Sequence, residues 1–177
     1  MTAVLCAAFD PATDEAIYAV REQVRAMGVP LPERPPHRPH LTLTAARVTR
    51  GDELDLVVET AREIATRHLP VPIALDEIGR FGRSGVLWLG PARNQGLPAL
   101  QRDCYRTMKA IWPPAFGERS SPNLWTPHCT LATRVSKPRL REIQDAVASS
   151  YAPITGCVSG VATILVGGQG DIALAPL

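Results

Sequence analysis

Four cysteines are spread over 177 residues, and none stands at C-x-x-C spacing or beside a histidine at zinc-finger intervals. A disulfide framework and a small zinc module are thereby set aside. Cys6, Cys104, Cys129 and Cys157 read instead as small buried thiols, and a reducing, cytoplasmic setting is expected. No apolar run approaches the ~18 residues of a membrane span, and the opening MTAVLCAAFDPATDEAIYAV has no basic segment ahead of its apolar one. Neither anchor nor leader is expected. Nineteen Lys and Arg against 17 Asp and Glu leave a formal charge of only +2. That is too little for the dense basic stripe of a long-duplex binder, and it fits a small anionic ligand better. Aromatic residues are scarce, with three each of Trp, Tyr and Phe, and there are only four histidines.

What is present suffices for one domain over residues 1–177. Hydrophobic residues make up 45% of the chain, and at this size about 70% of the unfolded surface can be buried without a staple. Thr2–Phe9 reads as a strand closed by Asp10-Pro11, a cap followed by a first helical position. Ile17, Val20, Val24 and Met27 then fall on one helical face, and Gly28 supplies the stop. His40–Ala46 alternates as a strand. Thr49 and Asp52 open a helix to about His68 whose core face is Leu54, Val57, Val58, Ala61, Ile64 and Ala65. VPIALDEIGRF and GVLWLGPA read as two strands joined through GRSG, followed by a helix over Leu97–Ile111 burying Leu97, Leu100, Cys104, Met108 and Ile111. Trp112–Pro127 lacks periodicity, and loops of that length inside a domain are often functional. A strand over His128–Arg134, a helix opened by Ser136 and two last strands complete the order β-α-β-α-β-β-α-β-α-β-β.

One phrase is written twice. Pro39-His40-Leu41-Thr42-Leu43 matches Pro127-His128-Cys129-Thr130-Leu131 at four of five positions, and each copy (residues 39–48 and 127–135) leads through Arg-Val-Thr/Ser into a helix. The repeated unit is strand, cap and helix, as an internal duplication leaves it. Within a strand, alternate side chains share a face, so His40 and Thr42 point one way, about 6.7 Å apart along the chain, and Leu41 and Leu43 the other. The same holds for His128 and Thr130. If a pseudo-twofold relates the units, two imidazoles and two hydroxyls meet across a cleft. His37 and His68 have no such partner motif; they read as a loop residue and as a helix-end residue facing the C-terminal dipole.

On these residues, HLTL and HCTL on the strands of a duplicated chain, with FGRSGVLWLGP before an amphipathic helix and WTPHCTL at the second motif, the sequence resembles the 2H phosphoesterase superfamily. The likeness is to its bacterial 2'-5' RNA ligase-like and 2',3'-cyclic phosphodiesterase branch and spans essentially the whole chain. The resemblance implies a duplicated α+β fold of two lobes, each a small antiparallel sheet flanked by helices, with a groove between. It carries over His40, Thr42, His128 and Thr130 as catalytic residues.

Two imidazoles with pKa values near ~6.5 can act as base and acid on a 2',3'-cyclic phosphate at neutral pH, in either assignment, and the threonine hydroxyls can meet charge on the non-bridging oxygens. No metal or other cofactor is expected, since each motif offers one imidazole and no carboxylate at ligand spacing. Arg38, just ahead of the first motif, and Arg134, on the strand parity of His128, are candidate phosphate ligands. Phe81 and Trp125 are candidates to stack on a base, whereas Trp88 reads as core. Expected ligands are RNA ends bearing a 2',3'-cyclic phosphate or small cyclic nucleotides, with no membrane partner and a monomeric state. 2'-5' RNA ligation at the same site and a non-catalytic nucleotide or RNA-end binding module are the alternatives.

Overall fold

The uninterrupted apolar run Thr2–Phe9 forms β1, which is buried on both faces, as such a run requires. Its alternation divides two cores. Ala3, Leu5, Ala7 and Phe9 enter the main core, and Val4, Cys6 and Ala8 join Ala45, Ala162 and Ile164 in a smaller cluster on the other face. The computed structural model describes residues 1–33, 35–49, 51–91, 96–168 and 170–176.

Among these, α1 (Pro11–Ala26), β2 (His40–Arg47), α2 (Gly51–His68), β3 (Val71–Leu75), β4 (Glu77–Phe81), β5 (Val86–Gly90), α3 (Leu97–Ile111), β6 (Cys129–Ala132), α4 (Lys137–Ser150), β7 (Ile154–Leu165) and β8 (Asp171–Pro176) follow β1 in order. The class is α+β, as expected. All strand pairings are antiparallel, in the order β3-β7-β1-β2-β6-β5-β4, with β8 also on β7.

Consecutive residues 71–81 supply both ends of that order, so the sheet is curled. This corrects the reading of VPIALDEIGRF as one strand. The chain turns at Asp76, β3 pairs with β7, and β4 forms the hairpin with β5. Asp76 N–H donates to the Gly90 carbonyl at 3.1 Å and holds the corner. The two small sheets implied by the resemblance are here one ladder, and its halves meet at the single pair Leu41↔Cys129 between β2 and β6.

Local signals account for most element ends. Asp10 caps α1, its carboxylate accepting from Thr13 N–H at 2.9 Å and from the Thr13 hydroxyl at 2.6 Å, and Gly28 ends the turn with φ +84°. The same carboxylate accepts from Cys157 N–H at 2.8 Å, tying α1 to β7. Burial works to raise the Asp10 pKa, and these hydrogen bonds outweigh it and bring it down to about 2.

At the start of α2 the Glu53 carboxylate accepts from both the N–H and the hydroxyl of Thr49. In α3 the terminal Ile111 is 50% exposed, and Trp112, one residue on, takes its place in the core. Gln101 and Tyr105 join the buried face. The second strand motif is shorter than read, ending at Ala132. Among the described residues no helix is long and apolar enough to cross a membrane.

Candidate active site

The pair Leu41↔Cys129 lies midway between the two His-x-Thr motifs. Continuing that antiparallel register sets His40 opposite Thr130 and Thr42 opposite His128. Leu41 and Cys129 are buried in the main core, so the four motif side chains lie on the opposite face of two adjacent strands. Each His-x-Thr thereby brings its histidine beside the other motif's threonine.

Both motifs also bend in the same place. Along β1 the register steps from Cys6↔Thr42 to Leu5↔Thr44, skipping Leu43; along β5 it steps from Trp88↔Thr130 to Leu87↔Ala132, skipping Leu131. A bulge of this kind takes backbone groups out of the ladder and re-aims neighbouring side chains. The displaced carbonyls need donors, and each copy finds them. Trp125 Nε1 donates to the Thr42 carbonyl at 2.8 Å and Gln101 Nε2 to the Leu43 carbonyl at 3.1 Å. In the second copy Arg21 Nη1 donates to the Leu131 carbonyl at 2.7 Å and the Thr130 carbonyl at 3.3 Å. Trp125 therefore holds the first motif strand as well as flanking it. Arg21 and Gln101 act from helices far away in sequence, and nothing in the motif spacing pointed to them.

The two imidazoles are held alike. His40 Nδ1 lies 2.7 Å from the Arg38 carbonyl and His128 Nδ1 2.8 Å from the Thr126 carbonyl, in each case the residue two before. A carbonyl only accepts, so Nδ1 carries the proton and Nε2 is left as the nitrogen for chemistry. Burial pushes both imidazoles below the usual histidine pKa, and the two carbonyls oppose it. His37 and His128 lower His40 further, and Asp171 works the other way.

A lowered pKa leaves an imidazole neutral at pH 7 and protonated only below about 6.5. Titration of the imidazole protons by NMR, assigned through His40→Gln and His128→Gln, is expected to give both midpoints below that value. Inorganic phosphate, as a bound anion, is expected to move both midpoints upward. A midpoint above 6.5 for either histidine in the free protein would contradict this electrostatic picture.

Around this common centre the surroundings differ. His128 has the Phe81 ring edge-on at 4.9 Å and Trp88 at 6.4 Å. Trp88 is buried, as read, yet it does not pack into the main core with Leu87 and Leu89; opposite Thr130, it floors the second motif. His40 has His37 edge-on at 6.4 Å, and His37 Nδ1 lies 3.2 Å from Asp171 Oδ1. His37 is thus beside the site and not a plain loop residue. His68 is bonded to Asp103 of α3 at 2.8 Å, a side-chain partner that the dipole reading did not include.

Two cavities flank the four side chains. One, of about 260 Å³, is lined by His40, Thr130, His37, Arg38, Arg21 and the proline-rich segment. The other, of about 830 Å³, is lined by Thr42, His128, Phe81, Trp125 and residues of the 112–127 segment, including its 3₁₀ turn Gly117–Ser120. Phe81 and Trp125 both line this larger cavity. Arg38 also lines the site, but its guanidinium is committed: Nε and Nη2 donate to Asp14 Oδ2 at 3.0 and 2.6 Å, and Nη2 to the Phe9 carbonyl at 2.6 Å. Arg134 lies two residues past the end of β6 with φ +60°, so the strand parity that placed it beside His128 does not hold, and it lines neither cavity.

A curled antiparallel α+β sheet with paired His-x-Thr strands at its centre defines the chain as a protein of the 2H phosphoesterase kind. Its sequence matches the 2'-5' RNA ligase superfamily over residues 9–169, and the chain belongs to that family. Among solved structures it is similar to a phosphoesterase, at 19% identity and a TM-score of 0.64, with 99% of this chain and 98% of the other covered. It is also similar to E. coli LigT complexed with 3'-AMP (18% identity, TM-score 0.62, 99% and 94% covered) and with NADP+ (20%, 0.59, 99% and 93%). At these identities the likeness is one of fold. No curated protein matches the sequence.

Proposed function

We propose that this protein is a phosphoesterase that opens 2',3'-cyclic phosphates, on RNA ends or small cyclic nucleotides, by two-histidine acid/base catalysis at His40 and His128. The observation that carries the reading is the matched tethering of both Nδ1 atoms to the carbonyl two residues earlier, which frees both Nε2 atoms on one face beside two threonines. One neutral imidazole takes a proton from a water attacking phosphorus. The other, held as imidazolium by the phosphate anion bound beside it, gives its proton to the departing ribose oxygen, and one P–O bond forms as one breaks. Thr42 and Thr130 donate to the non-bridging oxygens, where charge grows in the transition state. The complexes of LigT with 3'-AMP and NADP+ support a nucleotide as the ligand class. Four free cysteines, three of them buried, support a reducing compartment such as the cytoplasm.

The test is hydrolysis of 2',3'-cyclic mononucleotides and of a short oligonucleotide carrying the same end, in EDTA, with the product isomer resolved. Turnover to a phosphomonoester is expected. A folded sample that binds these ligands without turning any over would make the protein a binding module, and joining of RNA halves in place of hydrolysis would make it a ligase. Activity lost to the chelator would overturn the two-histidine scheme.

A further inference from the structure

The arginines that line the two cavities divide by what they already hold. On the smaller side Arg38 is committed to Asp14 and Arg21 to the carbonyls of the second motif. On the larger side stand Arg83, in the turn between β4 and β5, and Arg119, in the 3₁₀ turn of the 112–127 segment. Both are exposed, and neither makes a side-chain hydrogen bond or ion pair among the described residues. Among the described residues no aspartate or glutamate lines that cavity. Its volume of about 830 Å³ is near the top of the about 300–1,000 Å³ that small-molecule sites span. Thr42 and His128 fix the reacting end, Phe81 and Trp125 give it a flat apolar wall, and two uncommitted guanidinium groups complete the lining. A planar ring with a second anion beyond it satisfies all three features at once.

We propose that Arg83 and Arg119 form a second phosphate subsite, so that the preferred substrate carries a further phosphate on the 5' side of the nucleoside whose cyclic phosphate is opened. The inference rests on the phosphoesterase reading. A guanidinium matches phosphate oxygens through two parallel N–H donors, and the two arginines come from different segments, β4–β5 and 112–127. Both are solvent-exposed, so their attraction weakens with salt. The second phosphate has two sources with the same chemistry: an internucleotide diester of an RNA end, or the terminal phosphate of a small 5'-phosphorylated nucleotide.

Three probes separate these: a nucleoside 2',3'-cyclic phosphate with a free 5'-hydroxyl, its 5'-phosphorylated counterpart, and a dinucleotide ending in the cyclic phosphate. At low salt the wild-type protein is expected to favour a phosphate-bearing probe by about tenfold or more in kcat/KM, the scale of one charge-assisted contact. Arg83→Ala and Arg119→Ala are each expected to bring that ratio toward one, and the lysine variants to keep part of it. Preference for the dinucleotide alone assigns the subsite to RNA; preference for both probes extends it to terminal phosphates. A wild-type ratio near one, or a ratio retained in the double alanine variant, overturns the subsite. Calorimetric titration with a nucleoside 3'-phosphate and the corresponding 3',5'-bisphosphate decides the same point without turnover. A bisphosphate preference that needs both arginines in an inactive protein would sustain the subsite and remove only the catalytic reading.

Discussion

Alanine at either His40 or His128 is expected to lower the rate of cyclic-phosphate opening by about 10²–10⁴-fold, and alanine at both to lower it little further. The magnitude is that of one general acid or base. Non-additivity follows from the geometry: proton removal from water and proton delivery to the leaving oxygen belong to one transition state, so the imidazole left alone has no partner to complete it. Single-turnover rates on a cyclic nucleotide test this, with the fold checked by thermal unfolding. A single variant that kept more than about a tenth of the wild-type rate would remove that histidine from the chemistry. Two equal losses that multiply in the double variant would mean independent contributions, contrary to a paired acid and base.

The two histidines are equal in tethering and unequal in setting. His40 shares its surroundings with the ionisable pair His37 and Asp171, whereas His128 stands among Phe81 and Trp88. The hydrogen-bonded frame is common to the two motifs, and the loops around it differ. That division also explains what could be read beforehand. The motif strands, their shared face and most helix limits were legible because they rest on local signals: alternation over five residues, Asp10-Pro11, Gly28.

The strand break at Asp76 was not, because Asp76-Glu77 is a charged pair without Gly or Pro, and only the pairing of β3 with β7, distant in sequence, separates it from β4. His37 lacked a visible partner because Asp171 lies 134 residues further on. Arg38 was correctly placed beside the motif but not recognised as already paired, since Asp14 sits on α1, on a different element. Arg134 was misplaced because β6 ends at Ala132, so the alternation on which its placement rested stops two residues short of it, and Arg134 itself takes a left-handed φ. Arg21, Gln101 and Trp125 answer carbonyls that a bulge exposes, and a bulge leaves no mark in a short strand sequence.

Gly79→Ala is expected to destabilise the sheet beside the second motif. Gly79 pairs with Trp88 across the β4–β5 ladder, and a Cβ built at Gly79 would lie 1.9 Å from Trp88 Cζ2. The indole covers the bare backbone, a cross-strand arrangement of aromatic over glycine. Its way out is narrow, because a Cβ at Gly90 would already stand 2.8 Å from Cζ3 of the same ring, and Phe81 packs at 5.5 Å. Overpacking of this kind costs about 1–3 kcal/mol, and at about 2–4 °C per kcal/mol for a chain of this size Tm should fall by several degrees. The displaced ring has His128 as its other neighbour at 6.4 Å, so kcat on a cyclic nucleotide should fall with Tm. Trp88→Leu made in the Gly79→Ala background removes the clashing ring, and in a double-mutant cycle it should recover part of the lost stability. Recovery of Tm without recovery of kcat would separate the two roles of Trp88: a wedge that gives β4 and β5 their spacing, and the floor that sets the position of His128. A Tm for Gly79→Ala within a degree of wild type would mean that the indole yields easily, and Trp88 would then have no part in positioning that histidine.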